Sequence, residues 1–287
     1  MSDSSSLAIA ALVGAATGLH AATWGMYKDA LYEGFSRWKF ARSVLIGAAS
    51  GAVVQSLMRF DLRGPAGFVL LAGLAYALER GIAEWHKSFV REEDQSKYFI
   101  PMQLAVGGRI VRSRVVRALS GLAYAGALAA VAIGLARLGD AGTPRFPLVM
   151  LILLGSVGGW ISAFGGAWKD APREGFQTLK FFRSPAVAVV YALALSALTT
   201  SWLAIAFGAL GFTIATIETH KMFDNSHERG KFAGKPVRFP DIVQARRRYV
   251  PVYLALWAVM LVTLAAALSA PATGLLAAID IAALRGP

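Results

Sequence analysis

The chain has 287 residues, no cysteine, 56% apolar and 16% charged residues, and a formal net charge of +12. Soluble domains carry about 25% charged residues, so this composition points to a membrane, and the lack of cysteine excludes disulfides, thiolate ligands and thiol nucleophiles. The basic excess suits an anionic leaflet, where each juxtamembrane cation gains about 1 kcal/mol, and no nucleic-acid recognition module accompanies it.

Eight apolar stretches approach or reach the roughly 17–25 residues that a spanning helix needs. They cover about 7–26, 43–58, 66–83, 115–136, 147–167, 185–199, 200–217 and 250–271. Backbone groups in lipid must be satisfied within the segment, and the runs are too continuous for barrel strands, so each is a helix. The first 26 residues lack a basic leader and read as an N-out span rather than a cleaved signal peptide. Gly14-x-x-x-Gly18 in span 1 and Gly155-x-x-Gly158-Gly159 in span 5 are small-residue faces that let helices approach closely. His20 in span 1 and Glu79-Arg80 in span 3 are ionisable groups inside the bilayer, functional candidates by default, although Glu79 and Arg80 can neutralise each other. Tyr76, Tyr191 and Trp202 read as interfacial or packing aromatics.

Past span 1 the chain reads KDALYEGFSRWKFARS (Lys28 to Ser43), and past span 5 it reads KDAPREGFQTLKFFRS (Lys169 to Ser184). At an offset of 141 the two agree at ten of sixteen positions. Asp29 and Glu33, with Asp170 and Glu174 as mates, stand four apart on one helix face. Gly34 and Gly175 suit the left-handed residue that ends such a helix. Lys39 and Arg42, with mates Lys180 and Arg183, put two cations on the first turn of the next span, where Ser43 and Ser184 can bond back to a carbonyl.

Past span 3 comes Glu84-x-His86-Lys87-x-Phe89, and past span 7 Glu218-x-His220-Lys221-x-Phe223, at an offset of 134. At this offset Lys97 matches Lys231, Arg112 matches Arg246 and Arg114 matches Arg248. The seven-residue difference equals Arg59 to Pro65, a loop with no counterpart in the second copy. Glu84 and Lys87 can pair along a helix, as can Glu218 and Lys221. The arginine clusters ahead of spans 4 and 8 stop those spans at the lipid surface, and 99–114 and 236–249 have the spacing of short amphipathic surface helices. GKFAGKPVRFP, from Gly230, lacks the G-x-x-x-x-G-K-[ST] of a nucleotide phosphate loop.

Of 29 lysines and arginines, 23 lie in the four segments after spans 1, 3, 5 and 7; Arg59, Arg63, Arg137, Arg145 and Arg285 lie elsewhere outside the spans. The positive-inside rule puts those four segments in the cytosol and both termini outside. The expected fold is all-α: a polytopic integral membrane protein of eight transmembrane helices, arranged as two parallel tandem four-helix repeats at 1–138 and 139–272, with a short apolar tail at 273–287. An inner, cytoplasmic membrane is the expected location.

Function is expected where the charged segments repeat. Lys28, Asp29, Glu33, Lys39, Arg42, Glu84, His86 and Lys87, with Lys169, Asp170, Glu174, Lys180, Arg183, Glu218, His220 and Lys221, form the candidate site. One reading is a salt-bridge network that anchors the loops. The other is a binding site for a phosphate-bearing anion, which Arg and Lys suit through charge-assisted hydrogen bonds. Span centres nearly free of polar groups favour a lipid-like substrate over a sugar or ion, hence the expectation of a protein that binds and translocates an anionic lipid. Alternatives are a lipid-modifying enzyme using the carboxylates with His86 and His220, or an assembly subunit docking a membrane partner. A metal held by His86, Glu84 and the Asp29/Glu33 pair lacks any spacing of the H-E-x-x-H kind, and no cofactor is expected. Partners are anionic membrane lipids and a membrane-complex subunit or second copy, without nucleic acid.

Overall fold

A computed structural model of the protein describes residues 3–139, 147–223 and 230–278. Among these residues eight helices are long and apolar enough to cross a membrane, which makes the chain an all-helical, multi-pass membrane protein. Arg145, Arg285 and the end of the apolar tail lie outside the described residues.

α1 (Asp3–Glu33) has 31 residues and so is about 46 Å long, well beyond a hydrocarbon core of about 30 Å. Its last turns therefore carry Lys28, Asp29 and Glu33 out of the apolar layer. α2 (Arg37–Met58) starts at the Ser36 cap and includes Lys39 and Arg42 in its first turns. α3 (Pro65–Trp85) has proline in its first turn, where the missing N–H costs nothing, and continues through a π-turn at His86–Val90. α4 is Arg114–Leu138, capped by Ser113. α5 (Pro147–Gly155) and α6 (Val157–Glu174) share one span interrupted at Ser156. α7 (Thr178–Ser196) and α8 (Trp202–Phe223) follow. A short α9 (Ile242–Ala245) leads through a 3-10 turn at Arg246–Tyr249 into α10 (Val250–Ser269), and α11 is Leu275–Ala278. α2 and α7 begin in the charged turns ahead of the apolar stretches 43–58 and 185–199 instead of at the apolar boundary.

Small residues set the helix contacts, as the glycine spacing implied. A Cβ on Gly14 would lie 2.1 Å from the Gly47 carbonyl oxygen, and one on Gly18 2.2 Å from that of Ser43, so α1 and α2 touch backbone to backbone. Ser43 and Ser184 both stand at such crossings, the latter against Gly159. α3 meets α8 in the same manner at Gly73, Gly208 and Gly211. The main apolar cluster, with Leu71, Leu151, Leu195, Ile205 and Trp202, fills the end of the bundle away from the charges. The tail returns to this end, where the Thr273 and Gly274 N–H groups donate to the Ala197 carbonyl.

Two connecting segments differ from expectation. Residues 99–114 form no surface helix: a 3-10 turn at Gln95–Lys97 is followed by a hairpin, β1 (Ala105–Val106) against β2 (Arg109–Ile110). Gly107 and Gly108 both take positive φ (56° and 74°), the requirement of a tight two-residue turn, and this local demand overrides helical spacing. In 236–249, helix begins only at Ile242, because Pro236 and Pro240 exclude it upstream. α4 is pinned at its start by Glu92, which accepts hydrogen bonds from Arg114 (2.6 Å) and Arg117 (2.9 Å) and is thereby held down at a pKa of about 2.

Candidate functional site

The two repeated corners are built alike. The Gly34 N–H closes α1 onto the Ala30 carbonyl and the Gly175 N–H closes α6 onto that of Ala171, each at 2.9 Å. Both glycines have φ of +78°. At Gly175 ψ is 163°, a region reserved almost wholly to glycine rather than the ordinary left-handed helical cap. Across the corner the lysine folds back onto the acid: Lys39 to Glu33 at 3.2 Å, and Lys180 to Glu174 at 2.6 Å and Asp170 at 2.7 Å. These lysines are thus paired within their own loops, as the network reading holds.

The E-x-H-K segments pair along the helix as their spacing implied, Glu84 with Lys87 at 2.5 Å and Glu218 with Lys221 at 2.7 Å. Contacts between distant segments then gather these charged ends at one end of the bundle. Lys28 reaches Glu218 at 2.5 Å, and its ammonium also stands 4.5 Å from the Trp24 ring centre. Lys231 bridges Asp29 (2.7 Å) and Glu33 (3.2 Å), and the Gly230 N–H donates to Glu174 at 2.7 Å. Burial of Lys231 disfavours its charge, but Asp29 and Glu33 outweigh that and raise its pKa above the usual lysine value. Tyr98 donates to Glu33 at 3.1 Å, and burial together with that carboxylate pushes its phenol well up. Lys231 and Tyr98 stood outside the candidate residues. The match of Lys231 with Lys97 at the 134 offset was the signal for the first, and nothing in the sequence marks the second.

Between α3, α4, α6 and α8 lies a cleft of about 1920 Å³, which α1 borders at Trp24 and Lys28 and α7 at Lys180 and Arg183. Of the sixteen candidate residues, Glu33, Lys39, Arg42 and His86 stand off it, and the other twelve line it. Glu84 is accordingly 48% accessible although protein surrounds it, since it faces the cleft. His220 lines the cleft, whereas its mate His86 does not, so the two imidazoles are not equivalent. Lys169 and Arg183 also face it, and among the described residues neither makes an ion pair; the Arg183 Nε is buried without a hydrogen-bond partner. Away from the charges the walls are apolar. On α8 the lining residues Leu203, Phe207, Leu210, Ile214, Glu218 and Lys221 recur every three or four positions and so form one stripe from apolar end to charged end. Among the described residues no three His, Asp or Glu side chains are placed to hold a metal ion.

Within the spans, Glu79 and Arg80, the latter at the cleft wall, are both buried and pair through two hydrogen bonds. Tyr76, which read as a packing aromatic, carries a hydroxyl at the centre of a buried polar group: Trp24 Nε1 donates to it at 3.1 Å and His20 Nδ1 lies 3.1 Å away. Arg80→Met should leave Glu79 buried and uncompensated and cost about 3–5 kcal/mol. The double change Glu79→Leu plus Arg80→Met should recover most of that loss, read as midpoints of thermal unfolding in one detergent. Equal losses in the single and double variants would show that the pair contributes through packing alone.

No protein-family model, curated protein or solved structure matches this chain.

Proposed function

We propose that this protein binds and translocates an anionic, phosphate-bearing amphiphile at the charged end of the bundle. The cleft carries this reading: one end is lined with lysines, arginines and carboxylates, the other is apolar, and the α8 stripe connects them. Ligand sites of ordinary size occupy about 300–1,000 Å³, so a cleft of about 1920 Å³ suits a molecule with hydrocarbon chains rather than a small solute. Lys169 and Arg183, which face it and make no ion pair among the described residues, are the groups available to an anion, because the remaining candidate lysines already hold carboxylates. The two halves are read as parallel four-helix repeats, with the charged end in the cytosol.

Native mass spectrometry tests this on protein gently extracted from its membrane, beside Lys169→Gln plus Arg183→Gln. A discrete phosphate-bearing lipid adduct on the natural protein, lost from the variant, is the expected result. Translocation is then read as faster exchange of that lipid class between the leaflets of proteoliposomes. Bare protein in both samples, or the same lipids on both, would overturn the proposal and leave the cations as anchors.

A further inference from the structure

The repeated corners are alike, but the residues just ahead of them are not. At the offset that aligns Lys28 with Lys169, Trp24 falls on Gly165 and His20 on Ile161. At the offset that aligns Arg112 with Arg246, Trp257 falls on Ala123, next to the cleft-lining Tyr124 and Ala125. The large members of these pairs fill the space where α1, α3, α8 and α10 meet. His20 stacks on Tyr253 with centroids 4.3 Å apart and meets Trp257 edge-on at 5.5 Å. Trp24 packs with Met222 and Tyr253, and Thr219 bonds both Tyr253 (2.5 Å) and Trp257 (2.8 Å). Gly165 and Ile161 border the void on its α6 wall, and Trp24, the mate of Gly165, closes it from the α1 side. Gly165 lines the cleft, and a Cβ built there, on Gly166 or on Gly81 of the facing wall, meets nothing within 4 Å.

The ion pairs divide in the same sense. Lys28 is bonded to Glu218, but among the described residues its mate Lys169 makes no ion pair with Glu84, which Lys87 neutralises instead. Lys231 bridges Asp29 and Glu33, whereas among the described residues its mate Lys97 pairs with Glu93 alone, at 3.8 Å. Two cross-links close the α1 side, and among the described residues neither has its counterpart on the α6 side.

We propose that the protein holds one amphiphile per chain, in the groove between α3, α4, α6 and α8, with its anionic group on Lys169 and Arg183 and its chain along the α8 stripe. The related groove at α1 and α10 is plugged by Trp24 and Trp257 and takes no ligand. This rests on the reading above that the ligand is an anionic amphiphile. Leu203 to Ile214 spans about 17 Å of helix, close to one leaflet of a roughly 30 Å hydrocarbon core. A membrane lipid lying there therefore keeps its depth while its headgroup meets the two cations.

The probe is phosphatidylglycerol with a photoactivatable diazirine on one acyl chain, diluted into phosphatidylcholine nanodiscs holding the full chain. Saturation labelling should reach one lipid per chain and map to the α4 and α8 stretches that line the cleft. Gly165→Trp should lower it roughly tenfold, as should Gly81→Leu from the opposite wall if the first variant folds poorly, and Lys169→Gln plus Arg183→Gln should do likewise. Excess unlabelled phosphatidylglycerol should displace the probe, while inorganic phosphate should not. Displacement by phosphate alone would assign the cations to a soluble anion and overturn the proposal. Two labels per chain, labels concentrated on α10, or labelling unchanged in all variants would overturn the groove assignment while the amphiphile reading stands. No labelling of the natural protein above a phosphatidylcholine probe would remove both.

Discussion

Gly211→Ala is expected to destabilise the bundle by about 3 kcal/mol, the upper part of the ordinary range for overpacking. The new methyl would lie 2.0 Å from the Gly73 carbonyl oxygen and 2.9 Å from its carbon, and neither is a side chain that can rotate away. The helices themselves must separate. In lipid no hydrophobic force draws helices together, so close packing supplies most of their attraction and the lost contacts have no substitute. The effect should also reach the charged end, because α3 carries Glu84 and Lys87 while α8 carries Glu218 and Lys221. The control is Gly126→Ala on α4, where a Cβ meets nothing within 4 Å, and which should be neutral or gain up to about 1 kcal/mol of helix propensity. Thermal unfolding of both variants in one detergent decides the matter. Similar midpoints for the two would show that α3 and α8 do not meet at Gly73 and Gly211.

What could be read from the chain follows the range of each interaction. Spans are local in composition, and all eight are legible, with their ends displaced by the charged turns. Glu84–Lys87 and Glu218–Lys221 are local too, three residues apart on one helix. Lys39 and Lys180 are harder: each folds back over a glycine corner onto an acid six positions earlier, which no helical period announces. The sequence therefore leaves network member and free cation open for both, and both are paired. Lys28–Glu218 and Lys231–Asp29 join residues 190 and 202 positions apart, and only the duplicated pattern draws attention to their members. At 99–114 two signals conflict, and the Gly107-Gly108 turn prevails because positive φ at consecutive residues is tolerated by little else.

The cleft was hidden for a different reason. A void leaves no residue of its own, and Gly165 or Ala125 read singly is one more small residue among many. Set against the other copy, Gly165 becomes a position where tryptophan is missing. Duplicated charges first suggested a shared site, whereas the differences between copies indicate which side is hollow. Arg183 lines that side while its mate Arg42 stands off it, and His220 and His86 differ in the same way.

Lys231→Met should cost about 3 kcal/mol, because it leaves Asp29 and Glu33 half-buried without the cation that bridges them. Lys39 remains beside Glu33, but it is 42% exposed and 3.2 Å away, and Asp29 keeps no ion pair among the described residues. The same change at the mate, Lys97→Met, should cost under about 1 kcal/mol, the usual range for a loose surface pair, since Lys97 touches Glu93 only at 3.8 Å. The comparison separates cross-linking from bulk charge, since both variants remove one lysine from corresponding positions. Lys231→Arg should retain much of the natural stability, because a guanidinium can span two carboxylates, and so distinguishes the bridge from simple packing of the lysine stem. Unfolding midpoints of the three variants in one detergent provide the test. Equal losses at positions 97 and 231 would mean that the two sides are latched alike, and the asymmetry that leaves one groove open would lose its electrostatic basis.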